Sequence, residues 1–537
     1  MVGWGEDGRA IIVQARRVAK GLRGANCNAA ERVMYCRQLL SGGASDPGLV
    51  ALSGLLADLL PDDRHYWAGV FYTLLLSKQQ RRDQAAYFTP PYLAYAVLDL
   101  ASEFGFDLKK HTALDPAAGG AAFLSTIAGR MAAEGLDSDS ICSRLEGAEI
   151  DPGLARIARI LLSERLGLRA TKAIKITARD ALTASWESAF DLVVANPPYG
   201  RVTAESLPND RWREVAHSGH INKYAVFTEL CFRAAKDGAL VALVIPSSFR
   251  TGPLYKLMRT FIRKQGEVLT VGTVGTRDDV FVDVAQDVSV LLVRKTSAPT
   301  KVATRFSNIG PGKAVEVLAD RALPADANEP WPTPSSGDVA IGGATLADYG
   351  VTVRAGYFVW NRQEDRLREA ADATTYPLIW ARNVRAGEPC RPMGKKGEKA
   401  DFVWFPNDNG PVVREPAIVL QRTTNNKQPR RLVAAMVDKS VIGRWRGFVS
   451  ENHTIILTVK RQRDLAAVCR LLNTEAVDQR YRRLSGTAAV SVQLLRILDL
   501  PPPATFAAQS RLHADAETAA AAAYADAPIA ANARDAA

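Results

Sequence analysis

The chain has 537 residues, 47% of them hydrophobic and 23% charged, with 68 Lys and Arg against 57 Asp and Glu for a net charge of +11. That length supports two or three domains, each with its own core, and the composition excludes a disordered or fibrous chain, while the positive balance suits a polyanionic partner. The six cysteines are scattered without a CxxC, the six histidines form no HExxH pair and no apolar run reaches a membrane span, so disulfides, structural zinc and membrane insertion are not expected.

Residues 1–80 carry apolar positions at three- and four-residue spacing and predict an N-terminal helical cap. The opening MVGWGEDGRA lacks a basic stretch followed by an apolar run, and the expected location is cytoplasmic. From 81 to 305 apolar strand-like runs (HTALDP, SRLEGAEI, AIKITARDAL, FDLVVANPP, GALVALVIP, VSVLLVRK) alternate with amphipathic segments, which predicts an α/β, mostly parallel, doubly wound sheet. The proline-rich stretch Ala322 to Asp338 reads as a boundary loop. Residues 306–510 mix short β-like runs with a late helix and predict a mixed α/β domain; within 401–500, 16 Lys and Arg face 9 Asp and Glu. The Ala-rich tail 511–537 offers little to build a core and is expected to be disordered.

The most informative stretch is FDLVVANPPYGR, Phe190 to Arg201. A buried-strand pattern stops at Asn196-Pro197-Pro198-Tyr199, so the strand delivers those residues to its carboxyl end, where open α/β sheets bind ligands. Two prolines stiffen the loop and remove two N–H donors, leaving carbonyls, one amide and one aromatic ring. That set suits a planar group carrying an NH2. Acids follow three successive strands: Asp115 before a small-residue loop containing Ala117, Gly119 and Gly120, then Glu149 and Asp151, then Asp180 before Ala181. Each could simply cap a helix, Asp151-Pro152 especially. Taken together they describe a pocket for a nucleoside-plus-amino-acid cofactor without a phosphate cradle, which excludes a P-loop and disfavours a dinucleotide.

This order of motifs resembles the amino-group DNA methyltransferases acting on adenine N6, of the Eco57I-like and TaqI-like Type II class with a C-terminal recognition domain. The resemblance covers most of 65–500 and implies a Rossmann-like methyltransferase sheet over 81–305, a target-recognition domain over 306–510, S-adenosylmethionine as cofactor and double-stranded DNA as partner. It implies a separately encoded restriction endonuclease as a further partner, with no metal and no membrane. Phe88, Thr89 and Pro90 would line the methionine end of the cofactor; Asp115, Ala117 and Gly119 would hold the methionine moiety. Glu149 and Asp151 would take the ribose, Asp180 and Ala181 the adenine, with Phe227 packed on it. Phe281 resembles an aromatic that packs on the flipped base.

Adenine N6 is a poor nucleophile because its lone pair is delocalised into the ring. The Asn196 side-chain oxygen and the Pro197 carbonyl could each accept an N6–H, and Tyr199 could stack on a base taken out of the duplex. Carbon-5 cytosine chemistry would need a cysteine nucleophile; Pro389-Cys390 lacks the strand-end setting, and Cys390 reads as structural. Arg422, Lys427, Arg430, Arg431, Arg444, Arg446, Arg480, Arg482 and Arg483 are candidate DNA contacts, with Arg430, Arg431, Arg482 and Arg483 favoured as base readers. Three alternatives stay open. A protein-glutamine methyltransferase also presents an NH2 to such a loop, although it has no need of about 200 further basic residues. A non-catalytic DNA-binding subunit is argued against by the intact Asn196-to-Tyr199 loop. N4-cytosine methylation uses the same amino-group chemistry.

Overall fold

The apolar runs read from the sequence fold into strands of one sheet in the computed structural model, which describes all residues except 1–4, 24–26, 78, 82–87, 168–173, 275–286, 301, 312–314, 325, 327–328, 332, 334–342, 392–399, 406–409, 424–427, 486–488 and 527–537. Two compact units result, Met1–Trp331 and Pro332–Ala537.

The first unit contains β1 (Ala113–Asp115), β2 (Leu145–Glu149), β3 (Lys175–Ala178), β4 (Phe190–Ala195), the short pair β5 (Arg201–Val202) and β6 (Ile221–Asn222), then β7 (Ala235–Pro246), β8 (Gly266–Val274), β9 (Val288–Lys295), β10 (Ala303–Ile309) and β11 (Glu316–Ala322). All but β5 and β6 form one sheet in the order β11-β10-β8-β9-β7-β4-β1-β2-β3. Strands β3, β2, β1, β4 and β7 are mutually parallel, and β9 runs antiparallel between β7 and β8. Helices cover the parallel strands, so β4 is buried along almost its whole length and its residues need not alternate.

The expected boundary at 305 is corrected. β10 pairs in parallel with β8, and β11 returns antiparallel to β10, so both strands extend the first unit's sheet. Their polar, alternating pattern is that of an edge pair and gave no apolar signal. The proline-rich stretch does coincide with the division between the units. Trp331 within it is fully buried, its ring edge-on to Phe249 at 5.9 Å, and its backbone N–H donates to the Arg250 carbonyl at 2.8 Å.

The predicted N-terminal helices are Gly5–Arg23, Ala29–Ser41 and Pro47–Ala57, and a fourth, Pro61–Leu75, is buried on all sides from His65 onward. Because that fourth helix has no polar face in its second half, periodicity could not reveal it. These helices share one apolar cluster with Leu154, Ile157 and Leu161 of the helix Pro152–Arg165 that follows β2. A buried hydrogen bond joins them: Tyr72 Oη donates to Asp151 Oδ1 at 2.7 Å.

The second unit holds β12 (Val351–Ala355), β13 (Leu367–Arg368), β14 (Thr375–Ile379), β15 (Phe402–Trp404), β16 (Ala417–Gln421), β17 (Ala434–Val437), β18 (Val449–Ser450) and β19 (Thr454–Val459), arranged as sheets β12-β19-β16-β17 and β13-β15-β14-β18. The disordered tail is the second correction. Ala516–Ala525 is a helix whose Ala519, Ala520, Ala523 and Tyr524 are buried. Alanine lets a helix approach its neighbours closely, so here a lack of large side chains permits packing. Glu517 also accepts the N–H groups of Glu475 and Ala476 at 2.6 and 2.9 Å, satisfying the start of the helix Glu475–Leu484.

The Tyr72 contact depends on Gly153, where a Cβ would stand 2.2 Å from the Tyr72 hydroxyl oxygen. Tyr72→Phe should cost about 1.5–3 kcal/mol, the worth of a hydrogen bond to a charged group. Gly153→Ala should cost at least as much, and the double variant clearly less than the sum, because removing the hydroxyl removes most of the clash. Denaturant melts of the four proteins measure this; additive costs would show that the two positions do not meet.

Candidate active site

The pairings Ala113↔Leu192 and Ala113↔Leu145 bring the carboxyl ends of β1, β2 and β4 to one edge of the sheet. Asn196 is the first residue beyond β4. Its Nδ2 donates to Thr89 Oγ1 at 3.2 Å, and its Oδ1 accepts from the Tyr199 hydroxyl at 2.9 Å. Thr89 is buried and precedes the helix Pro91–Glu103. With the NH2 end of the amide turned to Thr89, the oxygen end is the acceptor presented at the strand end.

Pro197 is buried and Pro198 half-buried. Tyr199 folds back so that its hydroxyl also lies 3.2 Å from the Val244 carbonyl on β7, and its ring is only 6% exposed. The expected free stacking face is therefore largely covered. Edge-on contact with Tyr224 at 6.3 Å continues to Tyr255 at 5.5 Å, and Tyr255 accepts from Asn222 Nδ2 at 3.0 Å. Sequence reading missed this tyrosine series. Tyr224 lies within the segment singled out for Phe227, and a tyrosine on a buried helix face was the available signal.

The loop after β1 is a tight turn. Asp115 is 1% exposed and accepts the Ala117 N–H at 3.0 Å; the Ala118 N–H reaches the Ala148 carbonyl on β2 at 2.8 Å. Gly119 (φ 51°) and Ala121 (φ 61°) both adopt left-handed backbone. At Gly119 the space that a Cβ would occupy is open, with only the Ala117 carbonyl near it at 3.9 Å. At Gly120 a Cβ would meet Phe88 at 2.2 Å, and at Gly69 at 2.4 Å. Phe88, expected against the cofactor, instead fills the notch between these two glycines, locking its segment onto the loop.

Glu149 ends β2 and closes the turn, accepting the Gly119 N–H at 3.1 Å and the Asp151 N–H at 2.8 Å. Burial pushes Asp115 up to about 8, reinforced by the charge of Glu149 and opposed by the Ala117 N–H. Burial likewise raises Glu149 to about 7, against its two backbone donors. Asp151 caps its helix through the Leu154 N–H at 2.8 Å and accepts from Tyr72, both through Oδ1. Asp180 caps a short 3-10 turn through Oδ1 to the Leu182 N–H at 2.9 Å, and its Oδ2 has no partner among the described residues. Ala181 and Phe227 are both buried in the main core. Phe281 lies outside the described residues.

In the second unit, Arg430 lies 3.9 and 3.8 Å from Glu475 and Glu517, and the Arg431 N–H binds Asp478. Arg482 pairs with Asp478 at 2.6 Å. Arg480 reaches Asp499 at 3.5 Å and lies over the Tyr524 ring; Arg483 is half-buried against Arg480, and burial lowers its pKa. Of these favoured base readers Arg430 and Arg482 thus lie beside acids of the same unit, while the bond at Arg431 is made by its backbone N–H. Lys427 lies outside the described residues. Cys390 is fully buried, burial pushes its thiol up to about 12, and it is no nucleophile. Among the described residues no His, Cys, Asp and Glu group could hold a metal ion, and no helix is long and apolar enough to cross a membrane.

Residues 66–313 match the model of the family N-6 DNA Methylase. The chain is similar to the Type II methyltransferase M.BsuBI of Bacillus subtilis, 23% identical over 352 residues, which is 60% of this chain and 67% of that protein. It is 22% identical over 243 residues to M.AccI of Acinetobacter calcoaceticus, covering 44% of this chain but 41% of that one, and 33% identical over 103 residues to M.TthHB8I of Thermus thermophilus, covering 17% and 24%. Among solved structures, the Type IIL restriction-modification enzyme MmeI in complex with DNA matches with a TM-score of 0.48 and 11% identity, over 88% of this chain and 77% of that one. The family domain, somewhat less than half of the chain, lies over the β4 loop and the strand-end acids, and with Type II methyltransferases among its relatives it supports an adenine DNA methyltransferase of a restriction-modification system.

Proposed function

We propose that Asn196 and Tyr199 are the residues through which this methyltransferase engages the adenine N6 amino group of duplex DNA, with the first unit holding S-adenosylmethionine and the second recognising the target site. The observation that carries the reading is the amide of Asn196, pinned through Nδ2 to Thr89 so that Oδ1 stands at the carboxyl end of β4. That oxygen accepts one N6–H and the Pro197 carbonyl the other, drawing the nitrogen toward tetrahedral geometry and freeing its lone pair. Entry of the base requires the Tyr199 ring to be uncovered, which fits a residue that closes the site when no base is present.

The cofactor fits the strand-end residues. Gly119 leaves open space, Asp115 and Glu149 form an acidic pair suited to a cationic ligand and ribose hydroxyls, and Asp180 Oδ2 can accept from an adenine amino group. S-adenosylmethionine, when bound, supplies an electrophilic methyl on a positively charged sulfur. A separately encoded restriction endonuclease is the partner this class implies.

Asn196→Ala should abolish methyl transfer from labelled S-adenosylmethionine to DNA while calorimetry shows cofactor binding preserved; full activity would remove Asn196 from the chemistry. Thr89→Val, which leaves the amide free to rotate, should lower kcat with little change in cofactor affinity, and unchanged kcat would show that the bond is not needed.

Acids whose folded pKa is raised bind protons more tightly in the folded chain, so Asp115 and Glu149 make the ligand-free protein lose stability as pH rises from about 4 through 8. A cationic ligand favours their ionised forms. Cofactor binding should therefore release protons near pH 7 and tighten as pH rises from about 6 to 8. Calorimetry in two buffers of different ionisation enthalpy measures the release; proton uptake or no exchange would place the ligand elsewhere.

A further inference from the structure

We infer that the half-exposed face of β13 and β15 in the second unit, together with the helix Lys439–Trp445, is the surface that grips the phosphodiester backbone of DNA. The inference rests on the DNA methyltransferase reading and assigns it a face that the sequence did not indicate.

Register defines the face. Arg368 on β13 is directly opposite Phe402 on β15, and residues of β15 alternate, so Arg368, Phe402 and Trp404 share one side while Val403 faces the core cluster with Leu378 and Val449. Phe402 and Trp404 are half-buried, which is unusual for large aromatics on a sheet's outer side. Arginines lie on these and neighbouring rings. The Arg368 guanidinium is 5.6 Å from the Trp404 ring centre, and Arg444 is 4.5 Å from that of Trp445, whose ring lies 6.4 Å from Phe402. Arg446 and Arg414 lie over Tyr376, at 5.5 and 5.8 Å, but Tyr376 is opposite Val403 and so on the other side of the sheet, and these two arginines are not part of the face.

Charge separates Arg368 and Arg444 from Arg430 and Arg482. Arg368 bonds only to the Asp365 and Leu367 carbonyls, at 2.7 and 2.8 Å. Neither it nor Arg444 has a carboxylate partner among the described residues; the exposed acids Glu364, Asp365 and Glu369 flank β13 without pairing to them. A guanidinium stacked on a ring is held flat with donors directed outward, at low entropic cost on binding. Un-neutralised, preorganised guanidinium groups among half-exposed aromatic faces complement a row of phosphates and deoxyriboses.

The test uses the full-length protein and a random-sequence DNA duplex, with affinity measured across salt. Arg368→Gln and Arg444→Gln should each weaken binding severalfold and lower the slope of log affinity against log salt by about one, with S-adenosylmethionine affinity and melting temperature held. The corresponding Lys variants should keep the slope. Arg482→Gln, which breaks the Asp478 pair, should instead lower the melting temperature and leave the slope. Gln variants with parental affinity and slope, in a parent that binds and methylates DNA, would overturn this surface and leave the methyltransferase reading standing. A parent that binds the cofactor but no DNA at any salt would overturn both.

Discussion

The hydrogen bond between Asn196 and Thr89 is the contact on which the site depends. A lone amide at a strand end can rotate and present either NH2 or oxygen; only the oxygen end can accept protons from an amino group. Thr89 settles that choice from a segment over a hundred residues away in sequence, itself locked in place by Phe88 seated on Gly69 and Gly120. Catalytic loop, cofactor loop and helical cap are thereby joined through three small contacts. Because Gly120 is shaped by Phe88 while Gly119 is the open position, the two adjacent glycines have different reasons to exist.

The acids divide in the same way. All three strands end in an acid that also satisfies backbone donors, so capping and ligand binding are not exclusive. Asp151 holds its helix and Tyr72 through one oxygen, whereas Glu149 ties the β1 loop to β2 at the sheet edge. Burial keeps Asp115 and Glu149 protonated more readily than ordinary carboxyls, a cost in charge solvation that a cationic ligand offsets.

Much of this was legible in the sequence because a buried parallel strand is a continuous apolar run and prolines end it abruptly, as in Phe190 to Pro198. What was illegible depended on partners distant in the chain. β10 and β11 look like polar loops until β8 is beside them. The alanines of 516–525 look inert until the helix Glu475–Leu484 receives Glu517 at its start. Positive charge in QPRR and QRYRR is visible in the sequence, but its neutralisation by Asp478, Glu475 and Glu517 is not. Conversely, Arg368 and Trp404 are 36 residues apart and carry no motif, yet strand pairing stacks them.

Transfer of a methyl group to adenine N6 is tested most directly by expressing the chain in a methylation-free host and sequencing the genome by a modification-sensitive single-molecule method. N6-methyladenine confined to one short sequence motif, absent when Asn196→Ala is expressed, is the predicted result. A genome without modified adenine, or one carrying N4-methylcytosine instead, would contradict it.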